Sequence, residues 1–375
     1  MLLSAPPLSL YVHLPWCVRK CPYCDFNSHA LRGAAPYAEY AQTLLADLDA
    51  DRRAHAAALD GRPLVSVFFG GGTPSLFAPD QIAAIVDGIA ARLPLAADAE
   101  ITLETNPGTV EHGRFDGYRA AGVNRLSFGV QSFDDAKLAA LGRIHSAAEA
   151  ERAIREAQDA GYANLNLDLM YALPEQTLAG ALADLEHALT LEPNTLFAAH
   201  PPPLPDDDDA LAMQEACQTR LAAAGYAQYE VSAYALPGRR AAHNLNYWTF
   251  GDYLGIGAGA HGKITDAATG VILRSAKLKV PERYLARAVA NGSFGNVNAV
   301  AADERAFEFM LNALRLVDGV PFALFAQRTG LDAATIAAAL AAARCQGWLT
   351  DDPATLQPTP LGLRFHNDLL GLFLS

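Results

Sequence analysis

A rhythm constrains this chain more than any other feature. Five short segments rich in β formers run from the N-terminus to Pro174, and each is followed by a stretch that can be helical. The segments are LSLYVHL (residues 8–14), LVSVFF (64–69), EITLET (100–105), RLSFGVQS (125–132) and NLNLDLMYALP (164–174). PYAEYAQTLLADLDADRRAHAAAL (36–59) and PDQIAAIVDGIAARL (79–93) open with proline in the first turn, where a missing N–H costs a helix nothing. Two helices are expected before Gly161, and LAGALADLEHALTL (178–191) follows the fifth strand. Strands alternating with helices predict βαβ units, and therefore an α/β fold with a parallel sheet under helices.

Each predicted strand runs into polar or glycine-rich residues: CVRKCPYC, GGGTP, ETNP, VQS and DLMYALP. In a parallel sheet these ends share one rim, where barrel-type α/β folds build their chemistry. One common site is the expectation. With 375 residues, 51% of them hydrophobic, the chain can hold one large domain and a smaller one. A net charge of −13 argues against general binding to nucleic acid or to an anionic membrane surface. No apolar run is long enough for stable membrane insertion, and MLLSAPPLSLYVHLP lacks the basic start of a signal peptide. A cytoplasmic location is the expectation, in keeping with five cysteines of which three are clustered.

After the barrel-like part, assigned to residues 1–235, the pattern changes. PPPLPDDDD reads as a rigid loop whose acids start a helix reaching Leu221, since carboxylates favour a helix N-terminus. QYEVSAYA (228–235) reads as one strand. An extension, residues 236–300, holds HNLNYW and the glycine-rich GDYLGIGAGAHG. Residues 301–375 read as three helices (303–316, 321–328, 333–345), two short strands (WLT and LQPT) and a final helix carrying LLGLFL, a winged-helix-like order. Five Arg and no Lys face eight acids there, which suits a structural or substrate-covering part better than a DNA reader.

The rim after the first strand carries Cys17, Cys21 and Cys24 within eight residues. A structural zinc site wants four ligands, and a disulfide framework an even number. Three thiolates on one loop can wrap three corners of an iron–sulfur cube and leave one iron open for a small molecule. A zinc site completed by His13 or His29 is the alternative. Cys217 and Cys345 lie among helix formers and read as ordinary thiols.

Taken in order, YVHLPWC-x3-C-x2-C, GGGTPS (70–75), ETNPG (104–108), RLSFGVQSF (125–133), NLDLMYALP (166–174) and HNLNYW resemble the radical S-adenosylmethionine (SAM) proteins. The resemblance spans nearly the whole chain. It is closest to the branch of oxygen-independent coproporphyrinogen III oxidase, and within it to the haem-chaperone group HemW. It implies a partial, three-quarter β/α barrel, a 4Fe–4S cluster on Cys17, Cys21 and Cys24, and SAM on the open iron. Gly71, Gly72 and Thr73 are implied to offer backbone hydrogen bonds to the methionine end of SAM. Glu104 and Asp168 would meet its ribose or amine, Arg143 and Gln131 its carboxylate, and Tyr11 and Tyr23 would pack by the cluster loop and adenine.

Within that branch, the oxidases resembled here carry a fourth cysteine two residues after the third. Phe26 stands in that place, and only sixteen residues precede Cys17. Both features point to a chaperone that binds haem and passes it to an acceptor protein, with His243 or His261 as axial ligand and an electron donor left unnamed. A radical decarboxylase of coproporphyrinogen III is the alternative, and a zinc-stabilised binding module is an alternative of another class. One departure concerns the barrel itself. Relatives carry a further strand between LADLEHALTL and EPNTLF, whereas here Leu191 runs directly into Glu192, Pro193 and Asn194. Residues 194–200 are expected to move beside the fifth strand, or the sheet to stay one strand short.

Overall fold

The computed structural model describes residues 3–109, 114–199, 206–289 and 294–374. Seven parallel strands form the centre of one sheet. They are β1 (Leu8–Leu14), β2 (Leu64–Gly71), β3 (Leu95–Thr105), β4 (Arg125–Gln131), β5 (Leu165–Met170), β6 (Thr195–Ala199) and β9 (Asp252–Ile256). β9 pairs with the free side of β1, so the parallel order is β9-β1-β2-β3-β4-β5-β6. Antiparallel strands extend both ends: β7 (Ala227–Glu230) and β8 (Ala233–Ala235) beyond β6, and β10 (His261–Asp266), β11 (Val271–Lys277) and β12 (Gly295–Ala299) beyond β9. The row of twelve does not close on itself, which makes a partial β/α barrel.

Side-chain alternation along the strands separates two faces. Ile101 and Leu103, Leu126 and Phe128, and Leu165 and Leu167 join the main hydrophobic core. The residues between them, Thr102 and Glu104, Arg125 and Ser127, Asn166 and Asp168, point the other way. Register sets Glu104 opposite Ser127, and Ser127 opposite Asn166. Polar side chains from three strands are thereby brought onto one face at one level.

The sequence reading needs correction on the flanks. The segment 228–235 is two antiparallel strands, because the chain turns at Val231 and Ser232 and the Glu230 carboxylate accepts the Ser232 N–H at 3.0 Å. HNLNYW is the helix Ala242–Trp248, and the glycine-rich segment after it supplies β9. Gly257, at φ 106°, shows why that segment must lack side chains: a Cβ there would sit 2.3 Å from the His13 carbonyl oxygen. Residues 201–205 and His200 lie outside the described residues. Asp206 caps the helix Asp207–Ala223 by accepting the Asp209 N–H.

β6 takes the place beside β5 with Thr195 opposite Asn166. Thr195 donates its hydroxyl to Asn166 Oδ1 at 2.6 Å and accepts from Arg125 Nη2 at 2.9 Å. These buried bonds pin the register of a short strand, which backbone pairing alone specifies weakly.

The C-terminal part packs a second core of Phe309, Met310, Phe325, Leu340 and Leu369, joined by Leu3, Phe250 and Ile272. Its helices are Ala302–Ala313, Ala323–Thr329, Ala337–Cys345, Pro360–Arg364 and His366–Gly371. Of the two expected strands, WLT contributes only an isolated bridge from Leu349 to Pro358, while Thr355–Leu356 pairs with Val320–Pro321. Among the described residues no helix is long and apolar enough to cross a membrane.

A buried ion pair fastens β9 to the strand beyond it. Lys263, 1% exposed, donates to Asp252 Oδ1 at 2.9 Å, and Arg62 reaches Asp252 Oδ2 at 2.9 Å. Burial pushes the Lys263 ammonium down to about 8 in spite of its partner. An Asp252→Ala variant would strand that charge away from water. It should lose about 3–5 kcal/mol of stability in urea unfolding, whereas Arg52→Ala, which breaks only the partly exposed pair with Asp49, should change stability by less than about 1 kcal/mol.

Candidate functional site

The loop after β1 is shaped by backbone bonds. Trp16–Cys17 pairs with His29–Ala30, the His29 N–H donates to the Pro15 carbonyl at 2.7 Å, and the Leu31 N–H to the Cys17 carbonyl at 2.9 Å. This closes residues 17–30 into a loop that holds all three cysteines. Cys17 is buried, while Cys21 and Cys24 are half-buried. Burial pushes the Cys17 thiol above its ordinary value, partly offset by the hydroxyls of Thr73 and Ser28. Cys24 Sγ lies 3.5 Å from Ser28 Oγ, and Arg143 Nη1 is 3.8 Å from Cys21 Sγ.

The three cysteines line a cavity of about 680 Å3 at the C-terminal ends of the parallel strands. The same cavity is lined by Tyr23, Gly71, Gly72, Thr73, Glu104, Gln131, Arg143, Asp168 and His243. Twelve of the fourteen residues singled out from sequence therefore share one space. Tyr11 is not among the lining residues: its hydroxyl bonds His13 Nδ1 at 2.8 Å and its ring stacks beside Phe68. His261 is exposed at the start of β10 and also lies outside the lining.

The donor set can be compared with the needs of a single ion and of a cluster. His13 donates from Nε2 to the Asn27 carbonyl at 2.9 Å and accepts from Tyr11 at Nδ1, so both ring nitrogens are occupied. His29 Nε2 donates to the Lys279 carbonyl at 3.2 Å. Among the described residues no three His, Cys, Asp or Glu side chains are gathered closely enough to hold one metal ion. A single zinc ion draws its donors to one point, whereas a cube spreads three thiolates over three corners. The donor set, three cysteines on one loop facing one cavity, fits the cube.

The GGGTP turn spends its backbone donors on the protein. The Gly71 N–H donates to Glu104 Oε2 at 3.2 Å, Gly72 to the Leu14 carbonyl at 2.8 Å and Thr73 to the Trp16 carbonyl at 2.8 Å. These three backbone donors are thus spent within the protein, and the backbone here can meet a ligand through its carbonyl oxygens. Those suit an ammonium group. Gly72 is required where it stands, since a Cβ would lie 2.6 Å from the Trp16 carbonyl oxygen.

Deeper in the cavity, burial and then the charge of Asp168 lift the Glu104 carboxyl to about 8. Burial lifts Asp168 to about 6, although Asn166 Nδ2 donates to it at 2.8 Å and Ser127 Oγ at 3.4 Å. Near pH 7 Glu104 thus keeps its proton while Asp168 is largely ionised, and a cationic ligand between them would favour the ionised form of both. Arg143 is fixed by the Gly129 carbonyl at 2.5 Å and leaves its Nε without a partner. Gln131 reaches the cavity from φ 71°, a strained conformation for a residue with a side chain.

His243 enters from the helix Ala242–Trp248. Its ring lies 4.2 Å from that of Phe68, and Nδ1 is 2.9 Å from Glu100 Oε1. The same carboxylate accepts the N–H groups of Ala242 and His243. Burial alone would raise Glu100, but His243, Arg125 and the Ala242 N–H hold it below the usual carboxylate range. Burial lowers His243 despite Glu100, so the ring is neutral near pH 7. Nε2 has no hydrogen-bond partner among the described residues. The other residues of HNLNYW act in packing. Asn244 donates to the Tyr229 hydroxyl, Asn246 to Ser9 Oγ and the Asp252 carbonyl, and Trp248 lies under Arg315 at 4.3 Å.

Glu100, Arg125 and Phe68 were missed as site residues. Each lies within a predicted strand, before the polar C-terminal end that marks the rim. Their alternation with Ile101, Leu126 and Val67 was the available signal.

The pattern of the Radical SAM superfamily matches residues 11–188, and that of the HemN C-terminal domain residues 300–365. The protein named heme chaperone HemW of Escherichia coli (strain K12) is 50% identical over the whole of both chains. That of Haemophilus influenzae is 48% identical over 99% of this chain and 98% of its own. The mouse mitochondrial radical S-adenosyl methionine domain-containing protein 1 is 41% identical over 73% of this chain and 64% of its own length. The structure of coproporphyrinogen III oxidase (HemN) from Escherichia coli superposes with a TM-score of 0.82 over 99% of this chain and 91% of that one, at 23% identity, a likeness of fold.

The raised Glu104 carboxyl has a consequence for stability. A group lifted from 4.5 to about 8 on folding contributes stability that is complete below about pH 4.5 and is lost as pH rises through about 8. Ligand-free protein should lose roughly 2 kcal/mol from this source across that window, the full shift being discounted because the carboxyl faces an open cavity. Calorimetric melting from pH 5 to 8.5 should show a flatter slope for Glu104→Gln.

Proposed function

Because the chain belongs to the radical SAM superfamily and, within it, to the HemW family, we propose that it is a haem chaperone that binds haem beside a 4Fe–4S cluster and SAM and passes the haem to an acceptor protein. The observation that carries this reading is a buried histidine, bonded at Nδ1 and with no hydrogen-bond partner for Nε2 among the described residues, in the cavity that the three cysteines line. An imidazole in that state can ligate a haem iron. A relative named as a haem chaperone at 50% identity supports the same role.

In this reading Cys17, Cys21 and Cys24 hold the cluster. When bound, it supplies an iron without a protein ligand for SAM and an electron for reductive chemistry. The carbonyls of the GGGTP turn receive the SAM ammonium, and Arg143 and Gln131 face its carboxylate. Glu104 and Asp168 accept from its hydroxyl or amine groups, and Tyr23 closes the wall. Phe26, at the place of the oxidases' fourth cysteine, is 66% exposed and lines the mouth of the cavity. That absence of a further thiol supports haem binding without coproporphyrinogen decarboxylation.

The missing-strand reading is part of the proposal. The alignment with the Escherichia coli relative spans 386 positions against the 375 residues here, so that relative carries segments this chain lacks. Thr195–Ala199 stands in for the lost strand. In this reading the SAM pocket is weakened on that flank.

The test is anaerobic reconstitution followed by haem titration. Changing Cys17, Cys21 and Cys24 together to Ala should abolish the brown absorbance and SAM binding, while changing Cys217 and Cys345 should not. His243→Ala should alter the Soret band of bound haem. Protoporphyrinogen formed catalytically from coproporphyrinogen III would refute the chaperone reading, and full iron retention in the triple variant would refute the cluster assignment.

A further inference from the structure

We infer that Glu100 is the positioning residue for His243: it holds the imidazole as the Nδ1–H tautomer and so presents the Nε2 lone pair to the cavity. This deepens the haem-ligand reading and rests on it.

The argument is one of geometry. Glu100 lies near the middle of β3, on the same face as Thr102 and Glu104, two residues before the first and four before the second. It is 8% exposed. Its Oε1 accepts from the His243 ring and from two backbone N–H groups, and its Oε2 accepts from the Ala242 N–H at 3.1 Å. Arg125 Nε lies 3.8 Å from Oε2 on the other side. Every close neighbour of this carboxylate is a donor or a cation. A carboxylate so placed can only accept, so His243 Nδ1 must carry the proton, and in the neutral ring Nε2 is then the acceptor.

Rotation of the ring is blocked as well. One face of the imidazole lies against Phe68 with ring centres 4.2 Å apart, and the backbone N–H of His243 is bound by the same Glu100 that holds its side chain. Residue and ring are thus fixed by one acceptor, reaching over 143 positions of sequence. A carboxylate behind a metal-binding histidine sets its tautomer and orientation and raises its basicity, and losing such a partner commonly costs 10–100-fold in metal affinity. Glu100 stands where such a partner must stand.

The experiment uses full-length reconstituted protein and ferric haem. Glu100→Gln keeps the size and can still accept the backbone N–H bonds, but it removes the charge behind the ring. It should bind haem about 10-fold more weakly, retain histidine ligation in the Soret and visible bands, and move the haem midpoint potential to a more positive value. Glu100→Asp, which retains the charge, should recover part of the loss. Unchanged affinity and potential in Glu100→Gln, with His243→Ala altering the Soret band, would overturn this inference and leave the ligand reading standing. A Soret band indifferent to His243→Ala would remove the ligand reading itself. Should Glu100→Gln fold poorly by circular dichroism, the tautomer decides: nitrogen-15 NMR of the wild-type full chain, labelled at histidine, should show His243 protonated at Nδ1, and protonation at Nε2 would overturn the assignment.

Discussion

The parallel pairing of seven strands is the constraint on which everything else depends. Parallel strands need crossovers, and crossovers bury one face of the sheet under helices. The other face then becomes an inner surface, lined by every second residue. Register does the rest. Glu104, Ser127 and Asn166 come level across three strands, and the cysteine loop hangs over the same rim because β1 ends there. A shift of one residue in any strand would turn its polar side chains into the helical layer and its apolar ones into the cavity. Buried hydrogen bonds guard against this. Arg125, Thr195, Asn166, Ser127 and Asp168 form one chain of contacts across three strands.

A second layer of dependence joins the extension to the barrel. Asn246 ties the helix Ala242–Trp248 to Ser9 of β1, and Ser9 lies 2.7 Å from Ser66 of β2. Glu100 receives the N-terminus of that helix, and Trp248 at its other end packs under Arg315, which pairs with Glu230. One short helix thus touches the sheet, the cavity and the C-terminal part. HNLNYW is mostly a clamp. Of its residues His243 and Asn244 line the cavity, and His243 brings there a ring nitrogen with no hydrogen-bond partner among the described residues.

The cavity also shows how electrostatics and cofactor chemistry fit together. Apart from the glycine turn, the deep wall carries two acids lifted by burial, and the wall by the cysteines carries Arg143. A cationic amine and an anionic carboxylate would each find a complement there. The acids are costly to ionise in an empty cavity, so a cation that favours the ionised form recovers that cost on binding. This links the binding of a charged ligand to the stability of the cavity floor.

Local sequence was enough for the parts that rest on local physics. C-x3-C-x2-C lies on one loop, and its three thiols face one cavity because eight residues cannot carry them far apart. The strand–helix rhythm follows from side-chain preference and burial, and the polar strand ends mark the rim. The glycines of GGGTP declare a close approach of backbones, which the Trp16 carbonyl confirms. Tertiary structure decided the rest. No local pattern told that Asp252–Ile256 would add to β1 from the far side, since a short apolar run between glycines suits a loop as well as a strand. Nor could spacing pair Glu100 with His243. Their contact exists because β3 places a buried carboxylate beneath the cavity, and a buried carboxylate must find donors wherever the fold brings them.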